Sequence, residues 1–227
     1  MTSYGQFCSI ARTLDVLGER WSILIVRELL SGSRRFSEIQ RGIPRISRTM
    51  LSARLRELAD LHVLVRHDED GPTYSLTESG RELGNVVREL GVWGQRWLPR
   101  TLPPEQLDAD LLLWDMHRRV RPSALPSSPF LVRLEIPDAG RTGAVRYLLL
   151  RASEVSLCAE NPGFPERLVI RSGLRTLVAW WRGDLSLAKA RREGMRIEVR
   201  HGRIRDLERW FERYLFADVP PANAAAG

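Results

Sequence analysis

The sequence predicts an α+β protein in two parts: a mainly helical first part carrying one two-stranded hairpin, then a second part built on a sheet with helices. Three observations predict it. Up to residue 98 apolar residues recur at helical spacing, interrupted only by β-patterned runs at 62–67 and 73–76. A proline-rich stretch, residues 99–109 (PRTLPPEQLDA), ends that pattern. Beyond it, strand-like runs dominate and helices close the chain. The expected organisation is a first domain over 1–98, a linker over 99–109, a sheet domain over 110–218 and a disordered tail over 219–227, within 227 residues.

The first helix is expected over 7–17, where Phe7, Ile10, Leu14 and Leu17 share a face and Gly18 ends it. Residues 20–30 (RWSILIVRELL) are apolar almost all round and read as a buried helix, with Trp21 as a core residue at its start. Phe36, Ile39 and Ile43 give a short amphipathic helix that Gly42-Ile43-Pro44 breaks. Ser47 is placed to cap the next helix by accepting from a backbone N–H near Met50. In that helix Leu51, Leu55, Leu58 and Leu61 form the core stripe, while Thr49, Ser52, Ala53 and Arg56 face away and Arg48 and Arg54 flank the stripe. A strand from His62 to His67, a tip at 68–72 and a strand from Thr73 to Leu76 make the hairpin. Thr77 then caps a long helix ending at Pro99.

Charge singles out the middle of this part. Arg34, Arg35, Arg41, Arg45, Arg48, Arg54 and Arg56 face only Glu38 and, just beyond, Glu57. The net charge of +7 suits a polyanionic partner, but only Lys189 among the 35 basic residues is lysine, so local clustering weighs more than the total. A short helix, a turn and a second helix with a small, polar, arginine-flanked outer face is a helix-turn-helix built to meet DNA, and the hairpin behind it is a wing. Ser47, Arg48, Thr49 and Ser52 are expected to enter the major groove, and Arg54 and Arg56 to clamp phosphates or base edges. Arg34, Arg35, Arg41 and Arg45 would hold the backbone. The wing tip, Asp68-Glu69-Asp70, is acidic and is expected to contribute little, leaving Arg66 and His67 at its base as the wing's contacts. The long helix places Leu83, Val86, Val87, Leu90, Trp93 and Trp97 on one stripe, more than so small a domain can bury. It is expected to pair with a second copy, with helix 7–17 helping.

With these residues in view, 8–98 resemble the HxlR-type winged-helix transcription regulators. The resemblance is carried by Cys8 with Ile10-Ala11, Asp15 through Trp21, Arg27-Glu28-Leu29-Leu30, Arg35 through Ile39, Leu51 through Leu58 and Tyr74 through Gly80. It implies a homodimer on a double-stranded DNA operator, with repression the commoner habit. The acidic wing tip departs from the proline- and arginine-bearing hairpins often found there. Cys8 matches a position that senses oxidants through its thiol in some relatives.

In the second part a helix is expected over Asp110–Val120, and strands over Phe130–Ile136, Ala144–Leu150, Val155–Ala159, Leu168–Ile170 and Arg196–His201. Helices are expected over Gly173–Trp181, Leu187–Arg192 and Ile204–Phe216. In the first strand Phe130, Val132, Leu134 and Ile136 alternate with Leu131, Arg133 and Glu135, so one face is buried. Residues 169–177, Trp180 through Ala188 and Arg209-Trp210-Phe211 together resemble a sterol-carrier-protein-like domain, the Gly-Asp-Leu-Ser-Leu-Ala segment most of all. Such a domain implies an apolar tunnel for lipid-like molecules. Trp114, Trp180 and Trp181 are the candidate effector contacts, weighed against ordinary core packing.

Two cysteines and four histidines at unrelated spacings give no metal site or disulfide framework, and no catalytic set or cofactor motif is apparent. No apolar run is of membrane-spanning length and the first residues lack a signal-peptide layout, so a cytoplasmic protein that is not an enzyme is expected. The rivals are a DNA-binding regulator, the same regulator controlled by an apolar molecule, and a hydrophobic-ligand carrier using the helix-turn-helix only to dimerise.

Overall fold

The computed structural model describes residues 3–69, 71–140 and 145–222. The chain divides into two compact units, Met1–Gly91 and Val92–Gly227. Asp70 of the hairpin tip, Ala144 of the second sheet strand and tail residues 223–227 lie outside the described residues.

The first unit runs α1 (Ser9–Leu17), α2 (Ser22–Leu30), α3 (Phe36–Gly42), α4 (Arg48–Asp60), β1 (Leu64–His67), β2 (Thr73–Leu76) and the start of α5 (Glu78–Trp97). Its core is the set that helical spacing selects: Ile25, Val26 and Leu29 of α2, Ile39 of α3, and Leu51, Leu55 and Leu58 of α4 are at most 2% exposed. Burying each such side chain contributes roughly 1.5–3 kcal/mol, enough to fix how α2, α3 and α4 pack. Trp21 is only half-buried. It sits in the left-handed region at φ 84, with the Arg20 guanidinium 4.7 Å from its ring.

Two expectations in this unit are corrected at the same turn. Leu61 is 39% exposed, because α4 ends at Asp60 and the chain reverses through His62 at φ 55. The hydroxyls of Thr77 and Ser79 both donate to the His62 carbonyl, at 2.7 and 2.9 Å, and hold that reversal. Strand β1 therefore starts at Leu64, and pairs antiparallel with β2 from Leu64↔Leu76 to His67↔Thr73. Thr77 caps α5 by accepting from the Gly80 N–H at 3.1 Å.

The turn between α2 and α3 is set by a buried carboxylate. Glu28 accepts from Arg27 Nη2 at 2.7 Å and from Ser33 Oγ at 3.2 Å, while the same Arg27 nitrogen reaches the Gly42 carbonyl at 2.9 Å. A β-carbon on Gly42 would collide with that carboxylate, so only glycine lets α3 end this close to α2.

The second unit holds α6 (Ala109–Arg118), β3 (Phe130–Glu135), β4 (Val145–Leu150), β5 (Val155–Cys158), β6 (Glu166–Arg171), α7 (Leu174–Trp181), α8 (Leu187–Arg192), β7 (Arg196–Val199) and α9 (Asp206–Trp210). Single 3-10 turns at Pro104–Gln106 and Pro122–Ala124 begin at prolines, whose fixed φ suits the first position of such a turn. The strand order is β5-β4-β3-β6-β7, antiparallel throughout except for the parallel pair β3–β6. Phe130, Val132 and Leu134 of β3 join the core with α6, α7 and α9. Leu131, expected to face solvent, is fully buried on the opposite side. Beside it that face carries Arg133 paired with Glu135 and Glu166, and Arg171 paired with Glu135. The closing helix is far shorter than the expected 204–216. At Phe211 the backbone turns extended, because Arg121 N donates to Trp210 O at 2.7 Å and Glu212 N to Arg119 O at 2.8 Å. That pairing inserts Phe211 into the core at 2% exposure. Among the described residues no helix is long and apolar enough to cross a membrane.

Candidate nucleic-acid interface

The second helix of the helix-turn-helix is held by two devices. Ser47 Oγ accepts from the Met50 N–H at 3.1 Å, as its position before the helix predicts. Arg54 donates from Nη2 to Glu19 Oε2 at 2.7 Å and pairs with Glu57 on its other nitrogen. Its side chain is only 13% exposed. Arg54 therefore ties α4 to the loop after α1, and the expectation that it clamps DNA is corrected: two carboxylates neutralise it and hold it inward.

The opposite face of α4 stays open. Thr49 and Ser52 line an open concave surface of about 950 Å³, together with Arg48 and Arg56 along α4, Arg35 and Phe36 at the start of α3, and Arg66, Pro72 and Tyr74 on the wing. Arg48, Thr49, Ser52 and Arg56 are all exposed. The Arg48 guanidinium lies 5.2 Å from the centre of the Phe36 ring, close enough for a cation–π contact that restricts an otherwise mobile side chain.

Arg35 reaches this surface by a route that local patterning does not reveal. Tyr74 N donates to Arg34 O at 2.8 Å and Arg35 bridges Thr73, so the segment before α3 forms a third edge beside the wing. Glu38 Oε2 accepts from the backbone N–H groups of Arg34 and Arg35, at 2.7 and 2.9 Å, and fixes the start of α3 there. The Arg34 side chain turns back instead, donating to the Leu29 carbonyl at 3.2 Å. Arg41, Arg45 and Ser47 are exposed but do not line the concavity. On the wing, Arg66 pairs with Asp68 at 2.8 Å, and Asp68 raises its pKa, keeping the guanidinium charged but partly compensated. His67 Nε2 is engaged by Ser75 Oγ at 2.8 Å.

The remaining candidates divide sharply. Cys8 is exposed just before α1, and the backbone N–H groups of Ala11 and then Ile10 hold its thiol below the ordinary value. Trp114, Trp180 and Trp181 are core residues, which corrects their reading as effector contacts. Trp181 Nε1 donates to buried Asp115 at 2.8 Å and its ring meets Phe211 edge-on, while Trp114 stacks on His117 at 5.0 Å. None of the three lines the cleft of about 250 Å³ in the second unit. The stripe on α5 is solvent-facing: Val86, Leu90, Trp93 and Trp97 are 46–60% exposed. On α1, Ile10 and Leu14 are exposed as well, with Phe7 just before it.

A family model for HxlR-like helix-turn-helix proteins matches residues 16–102. The chain is 41% identical over 100 residues to the uncharacterized HTH-type transcriptional regulator MT3179 of Mycobacterium tuberculosis, covering 42% of this chain and 63% of that protein. It is 40% identical over 92 residues to the uncharacterized HTH-type transcriptional regulator YvaP of Bacillus subtilis, covering 38% of this chain and 84% of that protein. It thus spans just under two thirds of the first of these relatives and most of the second. Among solved structures, the reduced form of the transcriptional regulator YodB from B. subtilis is 35% identical with a TM-score of 0.35, over 40% of this chain and 93% of that one. The redox regulator HypR in its reduced form is 35% identical with a TM-score of 0.36, over 39% of this chain and 91% of that one.

Proposed function

Since the chain belongs to the HxlR-like helix-turn-helix family, we propose that it is a sequence-specific, homodimeric DNA-binding regulator of transcription that acts as a repressor. The observation that carries this reading is the concave face of α4, where the small polar Thr49 and Ser52 lie between Arg35, Arg48, Arg56 and Arg66. Small side chains let a helix settle into a major groove, and planar guanidinium groups suit guanine edges and phosphates. Arg41, Arg45 and Ser47, exposed outside the concavity, are assigned to the flanking backbone. The open apolar stripe of α5 supports the homodimer, which would present two recognition helices to a palindromic operator. Repression follows the commoner habit of the family.

The test is selection of bound duplexes from a random pool. An enriched palindrome is the expected result. Uniform weak binding would sink this reading and favour the alternative, a hydrophobic-ligand carrier that uses its helix-turn-helix only to dimerise.

Two controls are assigned on top of DNA binding. The second unit serves as a sterol-carrier-protein-like effector domain for an apolar molecule, supported by the segment Gly183–Ala188 and by a mostly antiparallel sheet packed against helices. An apolar molecule that co-purifies in native mass spectrometry is the expected sign. Cys8 serves as an oxidant sensor, supported by its exposure and by the N–H groups that favour its thiolate. Loss of operator binding on treatment with an oxidant, absent in Cys8→Ser, is the measurement that tests it.

A further inference from the structure

We propose that the cleft beneath residues 100–107 binds a small, neutral, single-ring molecule bearing a hydroxyl or carboxamide, and that the end of α5 reads its occupancy. The inference rests on the regulator reading for its consequence only; the binding itself involves no DNA.

The cleft lies between the proline-rich segment and α7, and its floor is apolar: Leu102, Leu107, Val178, Ala179 and Leu185. The segment is strapped down at both sides. Arg175 Nη1 donates to the Leu102 carbonyl at 2.6 Å, and Arg100 reaches Asp184 at 2.8 Å and the Val219 carbonyl at 2.7 Å. A volume of about 250 Å³ is below the ~300–1,000 Å³ of sites for drug-sized molecules, so the guest is one ring with a polar head. Charge points to a neutral guest. The cleft carries Arg100 and Arg175 against Asp184 and Glu193, and Arg100 and Asp184 already neutralise each other.

The polar head is specified by two atoms. Arg100 Nε and Asp184 Oδ2 are both buried without a hydrogen-bond partner, in residues that line the cleft. One is a donor and the other an acceptor, so a group that both donates and accepts satisfies the pair. Asp184 Oδ2 has only a loose ion pair, with Arg182 Nε at 3.5 Å. Gly183, at φ 80 and packed against the Ala217 carbonyl, fixes the turn that delivers Asp184 here.

Occupancy has a path to α5. Gln95, 4% exposed in the last turns of that helix, donates to Asp184 Oδ1 at 3.3 Å and to the Arg182 carbonyl at 3.2 Å, and accepts from Arg182 Nη2 at 3.0 Å. Both atoms are enclosed, so a guest bonds to them only as Arg100 and Asp184 rearrange, and that movement disturbs the hydrogen bond between Asp184 and Gln95. Trp93 and Trp97 lie on the face of α5 turned away from Gln95, so their indoles report occupancy through a shift of the helix end itself.

The experiment titrates benzamide into the full chain and follows methyl and indole resonances by NMR, with benzamidinium and benzoate as charged controls. Saturable millimolar shifts of the Leu102, Val178 and Leu185 methyls are expected with benzamide, and binding about tenfold or more weaker with either ion. Ala179→Phe fills the floor and Thr176→Trp closes the rim, without touching the polar network; each should abolish the shifts while Tm is kept. The Trp93 and Trp97 indole signals should move with benzamide in the wild type and stay still in Gln95→Ala. No saturable benzamide shift, or shifts that survive both blocking variants, overturns the site. Methyl shifts with immobile indole signals overturn the coupling. Operator binding measured separately on the same protein tells failure here from failure of the regulator reading.

Discussion

Arg54 and Glu19, 35 positions apart in sequence, meet at 2.7 Å and tie the recognition helix to the loop after α1. This pair separates two arginines that sequence alone treats alike. Arg54 is held inward by carboxylates, whereas Arg56 is exposed on the concave face. Arg54→Ala should lower the stability of the first unit by ~1–2 kcal/mol, toward the low end because Glu19 and Glu57 are themselves 40% and 37% exposed. Arg56→Ala should leave stability within ~0.5 kcal/mol and weaken DNA binding. Urea denaturation beside a binding titration checks both. Equal stability of the two variants would remove the structural role given to Arg54.

Arg48 and Phe36 make a second testable pair. If Arg48 reads a guanine, Arg48→Ala should cost ~1–3 kcal/mol on the selected operator and relax preference at one base position. Phe36→Leu keeps most of the apolar volume but removes the ring face beneath the guanidinium, so it should cost ~0.5–1 kcal/mol of the same binding. Fluorescence anisotropy on operator and scrambled duplexes distinguishes this from a phosphate contact, which would weaken both equally.

The seat of Glu28 against Gly42 predicts an intolerant position. Gly42→Ala drives a methyl group into a fully buried carboxylate with donors on two sides, so ~1–3 kcal/mol of stability should be lost. Thermal unfolding measures it. An unchanged Tm would mean that α3 can shift away from α2 at no cost.

How much of this was legible follows from the range of each interaction. The Ser47 cap, the Leu51-Leu55-Leu58 stripe and the Thr77 cap are set by residues three or four positions apart, and the Thr73–Leu76 strand by alternate residues, so the pattern displays them. The role of Arg54 depends on a partner 35 positions away, and that of Arg35 on pairing with Thr73. Leu131 alternates like a surface residue but is fully buried, on the face that carries the ion pairs of Arg133 with Glu135 and Glu166. Phe211 continues the helical spacing of the closing helix, but the backbone of Arg119 to Arg121 pairs with Trp210 and Glu212 and ends the helix before it. The Trp181 indole is fixed by Asp115, 66 positions earlier, so core and cleft tryptophans look the same in sequence.

Cys8 gives a prediction with a sign. The N–H groups of Ala11 and Ile10 stabilise the thiolate, so its pKa lies below the ordinary thiol value, and alkylation should speed up as pH rises through that lowered midpoint. Iodoacetamide trapping followed by peptide mass analysis should show Cys8 modified before half-buried Cys158 at every pH below 8. A midpoint at or above that of a free cysteine peptide would remove the basis for oxidant sensing at this residue.

The stripe on α5 supplies the strongest test of assembly. Val86, Leu90, Trp93 and Trp97 form one exposed apolar row along α5, and a contiguous exposed apolar patch marks an interaction surface. If a second copy covers it, a charge placed there must be buried without a partner. Trp93→Arg should then convert the protein to a 26.0 kDa species in sedimentation, with each unit still folded because Trp93 is 57% exposed in the single chain. Operator affinity should fall at least ~100-fold, because two recognition helices on one dimer gain from the effective concentration that a monomer lacks. Affinity for a half-site should change little. A variant that keeps both its mass and its operator affinity would place the dimer contact elsewhere and leave this row to another partner.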